Sequence, residues 1–264
     1  MFTVKEFLQP KTIEEAYNTL VSNRNNTVIG GSAFLRMGSK KIGTAIDLSK
    51  LELNVIKDQG DYIEIGTYTT FRELETNPLL MNHFNGTLSK SVRNIIGVQF
   101  RNIVTVGASV FSKYGFSDLI TILLALDTEV ELYKAGRMSL YDFLQRSYEK
   151  DILTSLFIKK NQRQASYQDL RNSVSDYPIL NVAVSRLDHQ WRIAVGARPQ
   201  KATIARRASE ELSNALNLDD LEHYANMTAE ELTFGTNERG TAKYRQAMCK
   251  VLVKRGIMEV LQCK

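Results

Sequence analysis

The stretch from Thr105 to Asp118 reads TVGASVFSKYGFSD and runs straight into LITILLAL, the most apolar segment of the chain. Small residues give a core little to pack, so placing them before such a helix implies that something must approach the backbone closely there. A second stretch, VIGGSAFL from Val28 to Leu35, has the same order: an apolar strand, small residues, a hydroxyl, then a helical turn. Amides freed by small residues form an anion-binding nest, and a helix start adds donors and a positive dipole end. Two such loops could clamp a pyrophosphate from both sides, and Asp118, nine residues after Ser109, could accept hydrogen bonds from ribose hydroxyls. The alternative is that both are tight turns packed in a core, and the residues alone leave the two readings open. Neither stretch matches G-x-G-x-x-G or the lysine-bearing P-loop, which disfavours a Rossmann or nucleoside-triphosphatase reading.

The rest of the chain alternates short strands and helices. Thr12-Ile13-Glu14-Glu15 and Thr70-Phe71-Arg72-Glu73 are capping-box patterns, the first opening a helix through about Val21. GTAIDLSKL, DYIEIG, EVELY and ILTSLFI read as strands, and Ser117 or Asp118 caps the apolar helix. The polar segment KKNQRQAS, Lys159 to Ser166, is the expected boundary. It separates a domain over 1–160, with parts about 1–55 and 56–160, from a C-terminal domain over 164–264. Beyond it YPILNVAVSRL and WRIAVGA predict a two-stranded meander, then two or three helices, the last long and amphipathic. Strict βαβ alternation is missing, so the class is α+β.

A chain of 264 residues that is 43% hydrophobic and 24% charged is an ordinary globular protein. No run is apolar and long enough to cross a bilayer, and the start lacks a basic-then-apolar signal, so a cytoplasmic protein is expected and no membrane partner. The net charge of +5 is spread along the chain without a basic patch or stacking aromatics, which argues against a nucleic-acid partner. Cys249 and Cys263 cannot make a cluster ligand set, and no metal is expected. His83, His189 and His223 stand apart, and the acidic pairs Glu210-Glu211 and Asp219-Asp220 read as solvated faces, so no catalytic acid, base or nucleophile is named.

Seven segments, in order, carry a resemblance. FLQPKTIEEAYNTL is similar to a P-x-S-x-x-E-A opening helix, VIGGSAFL to A-G-G-[TQ]-[SD]-L, AIDLSKL to V-D-L-x-x-[IL], and IEIGTYTTFRELETNPLL to I-G-A-x-T-x-x-x-[EL]. VQFRNIVTVGASVFSKYGFSDLITILLALDTEVEL resembles Q-x-R-N-x-x-T-[IL]-G-G-[NS] with its downstream aspartate. DYPILNVAVS with WRIAVGARPQKA, and then AKYRQAMCKVLVKR, are similar to the C-terminal domain with its Y-R-x-x-x-x-x-x-[LV]-x-x-R helix. Together they resemble the FAD-binding medium subunit of molybdenum hydroxylases, the xanthine dehydrogenase and carbon monoxide dehydrogenase group.

That resemblance implies a two-part FAD-binding domain of the vanillyl-alcohol oxidase (PCMH) type followed by a small C-terminal α+β domain like that of the CO dehydrogenase flavoprotein. It implies an oxidoreductase subunit of a heterotrimer. Electrons would pass from the [2Fe–2S] clusters of a small subunit, beside a molybdopterin large subunit, through FAD to NAD or another acceptor. Carried over, Val28, Ile29, Gly30, Gly31, Ser32, Ala33 and Phe34 form the first FAD loop, and Thr105, Val106, Gly107, Ala108 and Ser109 the second. Asp118 holds the ribose, Ile95 and Leu153 line the cofactor or serve as core, and Asp176 lies near the flavin edge or turns the chain before Pro178. The sequence departs from the pattern at Ala108, which replaces a glycine, at Gln168-Asp169 after Tyr167, and at Asn172-Ser173, where an arginine pair is usual. These departures keep two rivals open, a stand-alone flavin oxidoreductase and a flavin-free assembly relative. Gly107→Val is expected to lose flavin with the fold largely intact.

Overall fold

A computed structural model describes residues 1–217 and 220–262; Asp219 and Cys263 lie outside the described residues. In chain order it runs β1 (Thr3–Leu8), α1 (Ile13–Ser22), β2 (Thr27–Ile29), β3 (Lys41–Asp47), β4 (Ile56–Asp58), β5 (Tyr62–Gly66) and α2 (Phe71–Thr76). Short helices follow: α3 (Pro78–Met81), α4 (Thr87–Val92), α5 (Val98–Arg101), α6 (Val106–Phe111) and α7 (Asp118–Ala125). Then come β6 (Thr128–Leu132), β7 (Gly136–Ser139), α8 (Leu140–Gln145), β8 (Leu153–Lys159), β9 (Gln164–Leu170), β10 (Leu180–Leu187), β11 (Gln190–Gly196) and β12 (Thr203–Ile204). Three helices close the chain: α9 (Arg206–Asn214), α10 (Leu221–Glu231) and α11 (Ala242–Gln262). The class is α+β, as the element order predicts.

Contacts divide the chain into two compact units, each drawn from separate segments: 1–73 with 97–112 and 128–158, and 74–96 with 113–127 and 159–264. The first unit holds a parallel sheet in the order β1-β3-β2 and a five-stranded sheet in the order β4-β5-β8-β6-β7. Thr12 caps α1 by accepting from the Glu15 amide at 3.1 Å. At Thr70 the box is reciprocal: its Oγ1 accepts from the Glu73 amide at 3.2 Å, and Glu73 Oε2 accepts from the Thr70 amide at 2.8 Å. Helix α1 lays Ala16 and Leu20 against Ile46 and Leu48 of the parallel sheet's flank, with Ile152 completing that core.

The second unit is built on an antiparallel meander in the order β12-β11-β10-β9. Strand β9 starts at Gln164, so the polar stretch expected as a boundary already enters the sheet; its alternation of Ala165 and Tyr167 was masked by the surrounding Lys, Gln and Arg. Central β10 is buried along Leu180 to Ser185, on both of its faces, with Asn181 and Ser185 as the polar residues of an otherwise apolar run. Helix α11 packs on it closely enough that a Cβ at Gly256 would sit 2.7 Å from Val184 Cγ2, and Gly256 O accepts from Ser166 Oγ at 2.9 Å. Helix α7 is buried at every position from Asp118 to Ala125, so its apolarity all round is what its surroundings require.

Candidate functional site: a glycine loop and a buried aspartate

In the first unit the two glycine stretches lie against each other. Strand β2 ends at Ile29, and a Cβ built on Gly30 would lie 2.6 Å from Thr105 Oγ1 and 3.3 Å from Ala108 Cβ. Gly31 has φ +64°, and a Cβ there would fall 1.7 Å from the Ile103 carbonyl oxygen. Ser32 continues in the left-handed region at φ 54°, an unusual conformation for a residue with a side chain. The carbonyl of Ser32 accepts from the Arg36 amide at 3.3 Å, and Phe34 meets Phe100 edge-on with ring centres 6.4 Å apart. Val28 packs on the α1 core.

The amides separate the two loops. Among the described residues, Gly31, Ser32 and Ala33 donate to no protein acceptor. In the second loop the amides of residues 106–109 are all engaged. Val106 donates to Thr69 O and Gly107 to Thr67 O, both at 2.8 Å, Ser109 to Thr105 O at 3.2 Å, and Ala108 to Thr105 Oγ1 at 3.3 Å. The freed amides expected of both loops are therefore found in the first, and the second supplies the surface on which the first rests. A clamp of amides from both sides is not what this unit presents. Gly107 is small for the same reason: a Cβ there would lie 1.6 Å from Thr67 Oγ1 and 2.9 Å from Thr67 O. A side chain at Gly107 would have to displace Thr67, so Gly107→Val is expected to disturb the fold as well as the loop. Residues 106–109 pack as a tight turn against Thr67 and Thr69.

Three consecutive unpartnered amides beside a left-handed turn form a cradle for anionic oxygens. That chemistry fits a pyrophosphate. The methyl of Ala108 faces the Gly30 side, where it fills space between the two loops.

The second unit brings Asp118 into a polar cluster. Ser117 caps α7, accepting from the Ile120 amide at 3.2 Å, and Asp118 follows as its first residue with 5% exposure. Its Oδ1 accepts from Arg171 Nη2 at 2.5 Å, from Asn181 Nδ2 at 3.3 Å and from the Tyr167 hydroxyl. Among the described residues its Oδ2 accepts no hydrogen bond. Burial pushes the Asp118 carboxyl up to about 6, against the pull of the Arg171 guanidinium and the Tyr167 and Asn181 donors. Burial and the neighbouring Asp118 charge hold the Tyr167 hydroxyl well above its usual range, so it stays a donor. Sequence reasoning found Asp118 and missed Arg171 and Asn181, which lie 53 and 63 residues away along the chain.

Asp176, before Pro178, accepts from Arg239 Nη1 at 2.7 Å on each oxygen and from the Tyr177 amide at 2.7 Å. The Arg239 hydrogen bonds hold its carboxyl below the usual range. Ile95 and Leu153 are buried in their own units at 9% and 3% exposure, which suits their reading as core. Among the described residues no cluster of His, Cys, Asp or Glu could hold a metal, and no helix is long and apolar enough to cross a membrane.

The architecture and the cradle define an α+β protein of two units whose glycine loop suits anionic oxygens. The chain belongs to the family of the FAD binding domain in molybdopterin dehydrogenase, matched over residues 2–160, and carries the CO dehydrogenase flavoprotein C-terminal domain over residues 165–260. FAD is the cofactor of this family. The chain is 25% identical to the nicotine 6-hydroxylase medium subunit of Paenarthrobacter nicotinovorans, over 96% of each chain. It is 22% identical to the glyceraldehyde dehydrogenase medium chain of Sulfolobus acidocaldarius, covering 96% of this chain and 97% of the relative. Its fold matches quinoline 2-oxidoreductase from Pseudomonas putida 86 with a TM-score of 0.88 at 19% identity, over 99% of this chain and 98% of the other.

Proposed function

We propose that this chain is the electron-transfer subunit of a molybdenum hydroxylase, holding FAD between the [2Fe–2S] clusters of a small subunit and a terminal acceptor, NAD or another. The molybdopterin large subunit would carry substrate hydroxylation. Support comes from the medium subunits it resembles along nearly their whole length, and from the three unpartnered amides of Gly31, Ser32 and Ala33. These amides would hold the pyrophosphate, with Val28, Ile29, Gly30 and Phe34 shaping the loop and Thr105 through Ser109 backing it. For Asp118 we propose the ribose hydroxyls, since one carboxylate oxygen is left to accept them. Ile95, Leu153 and Asp176 keep the cofactor-lining roles that resemblance suggests as proposals. Once bound, the flavin supplies the electron-carrying chemistry, and the protein positions it and sets its surroundings.

The test is an absorption spectrum of the purified chain, followed by acid release and identification of any flavin, and then co-purification with its partners. One FAD per chain and a complex containing molybdenum and iron are expected. A protein that neither holds nor takes up FAD, yet still joins such a complex, would replace this reading with the assembly one.

A further inference from the structure

The geometry points to Arg171 as the positioning residue that orients Asp118, fixing Oδ1 inside the protein and leaving Oδ2 for a hydroxyl donor of the bound dinucleotide. This rests on the proposed role of Asp118 at the ribose.

Arg171 leaves the end of β9 with its side chain only 4% exposed. Its planar fork reaches three segments at once. Nη2 donates to Asp118 Oδ1 at 2.5 Å and to Asp169 Oδ2 at 3.2 Å, and Nη1 to the Asp176 carbonyl at 2.6 Å, while Nε lies 3.2 Å from Asp169 Oδ1 without a hydrogen bond. A guanidinium held at three points has little freedom to turn, and what it holds shares its order. Asn181 completes the arrangement: its Oδ1 accepts from Thr121 Oγ1 at 2.8 Å, which turns its amide donor toward Asp118. All three donors to Asp118, including Tyr167, converge on the same oxygen, so the carboxylate cannot rotate without breaking them together. No single element builds this. The helix start at Ser117 brings Asp118, the β9 edge brings Tyr167 and Arg171, and β10 brings Asn181.

Besides these donors, the charged group facing the site is Asp169, itself paired with Arg171. Removing the guanidinium therefore leaves Asp118 beside a second carboxylate. Its proton would be held to higher pH, and a protonated carboxyl is a poorer acceptor for hydroxyls.

The experiment is FAD titration of the flavin-free full chain, followed by fluorescence from pH 5 to pH 8. It compares wild type, Arg171→Met, Arg171→Lys, Asp118→Asn and the double variant Asp118→Asn with Arg171→Met. Losing a charge-assisted hydrogen bond predicts a Kd raised about tenfold or more in Arg171→Met at pH 7. The pH midpoint of binding should also move upward, Arg171→Lys should fall between, and the double variant should bind no worse than Asp118→Asn. Wild-type Kd and midpoint in Arg171→Met, with Asp118→Asn weakened, would overturn the role of Arg171 alone. Wild-type binding by Asp118→Asn at every pH would overturn the ribose reading, and this inference with it. Should Arg171→Met not fold, Arg171→Lys decides: it keeps the charge without the fork, so wild-type binding in it would also overturn the positioning role.

Discussion

The two units build their candidate binding features by opposite means. In the first, a loop is shaped by what is missing: no side chain at Gly30, Gly31 or Gly107, and therefore backbone packed against the Ile103 carbonyl and the side chains of Thr67 and Thr105. In the second, a carboxylate is shaped by what surrounds it, three donors from elements far apart in sequence. Steric exclusion is unforgiving and local, whereas a charged network is tunable and distributed. The first should lose stability that no second substitution restores, the second should lose stability that a partner substitution recovers, with affinity and pH response shifting as well.

The largest effect should fall at Gly31. An added Cβ would both strain a φ of +64° and strike the Ile103 carbonyl at 1.7 Å, so Gly31→Ala should cost on the order of 4 kcal/mol or more. Gly107→Val should do the same through Thr67, and urea unfolding would read both. A Gly107→Val chain with wild-type stability would mean that the loops are not stacked as described, and the contrast between the units would collapse.

Arg171→Met comes next. Removing one partner from a buried pair strands the other, a loss of about 3–5 kcal/mol. Adding Asp118→Asn should recover much of it, because the stranded charge is then gone. No second substitution should rescue Gly31→Ala in that way. If the double variant were no more stable than Arg171→Met, the cluster would owe its stability to something besides charge pairing.

These two regions also differ in how far the sequence revealed them. Gly30-Gly31 and Gly107 could be read directly, because glycine after a strand signals a backbone demand whatever its cause. Their cause could not be read: TVGAS looked like a nest, and only the bonds from Val106 and Gly107 to Thr69 and Thr67 show those amides to be engaged. The Thr12 cap, the reciprocal box at Thr70 and the Ser117 cap were legible, since capping acts across three residues. Partners of Asp118 were not, because nothing local distinguishes Arg171 from the other arginines of a polar segment. The same polarity hid β9. A strand that buries Ala165 and Ser166 but keeps Gln164 and Gln168 half-exposed has too little apolar alternation to be noticed.

A smaller, sign-specific effect follows from Asp118 itself. Its folded carboxyl titrates near 6, above the ordinary 3.8, so the folded state binds the proton more tightly. The stability this contributes is complete below about 3.8 and is lost as pH rises through about 6. Asp118→Asn does not titrate. Wild-type stability measured relative to that variant should therefore decline across this window in thermal melts of the flavin-free chain. FAD affinity should run the other way, rising as the carboxylate forms. A flat difference would mean that Asp118 is not buried as the cluster requires.

The smallest effect, and the one that bears most on the rival flavin-free reading, belongs to Ala108→Gly. This introduces, at a position inside α6, the second glycine of the pattern that the loop resembles. Glycine in a helix is less favourable than alanine by roughly 0.5–1 kcal/mol, so a slight loss of stability is expected. The Ala108 methyl faces the space beside Gly30, and its amide is already bonded to Thr105 Oγ1. It fills a gap between the loops and leaves the Gly31 to Ala33 amides as they are, so FAD affinity should change by no more than about threefold, an interaction difference below 1 kcal/mol. A flavin-free wild type that takes up FAD only as Ala108→Gly would show instead that one methyl closes the cradle, and the glycine loop would then be a relic of the fold rather than its working site.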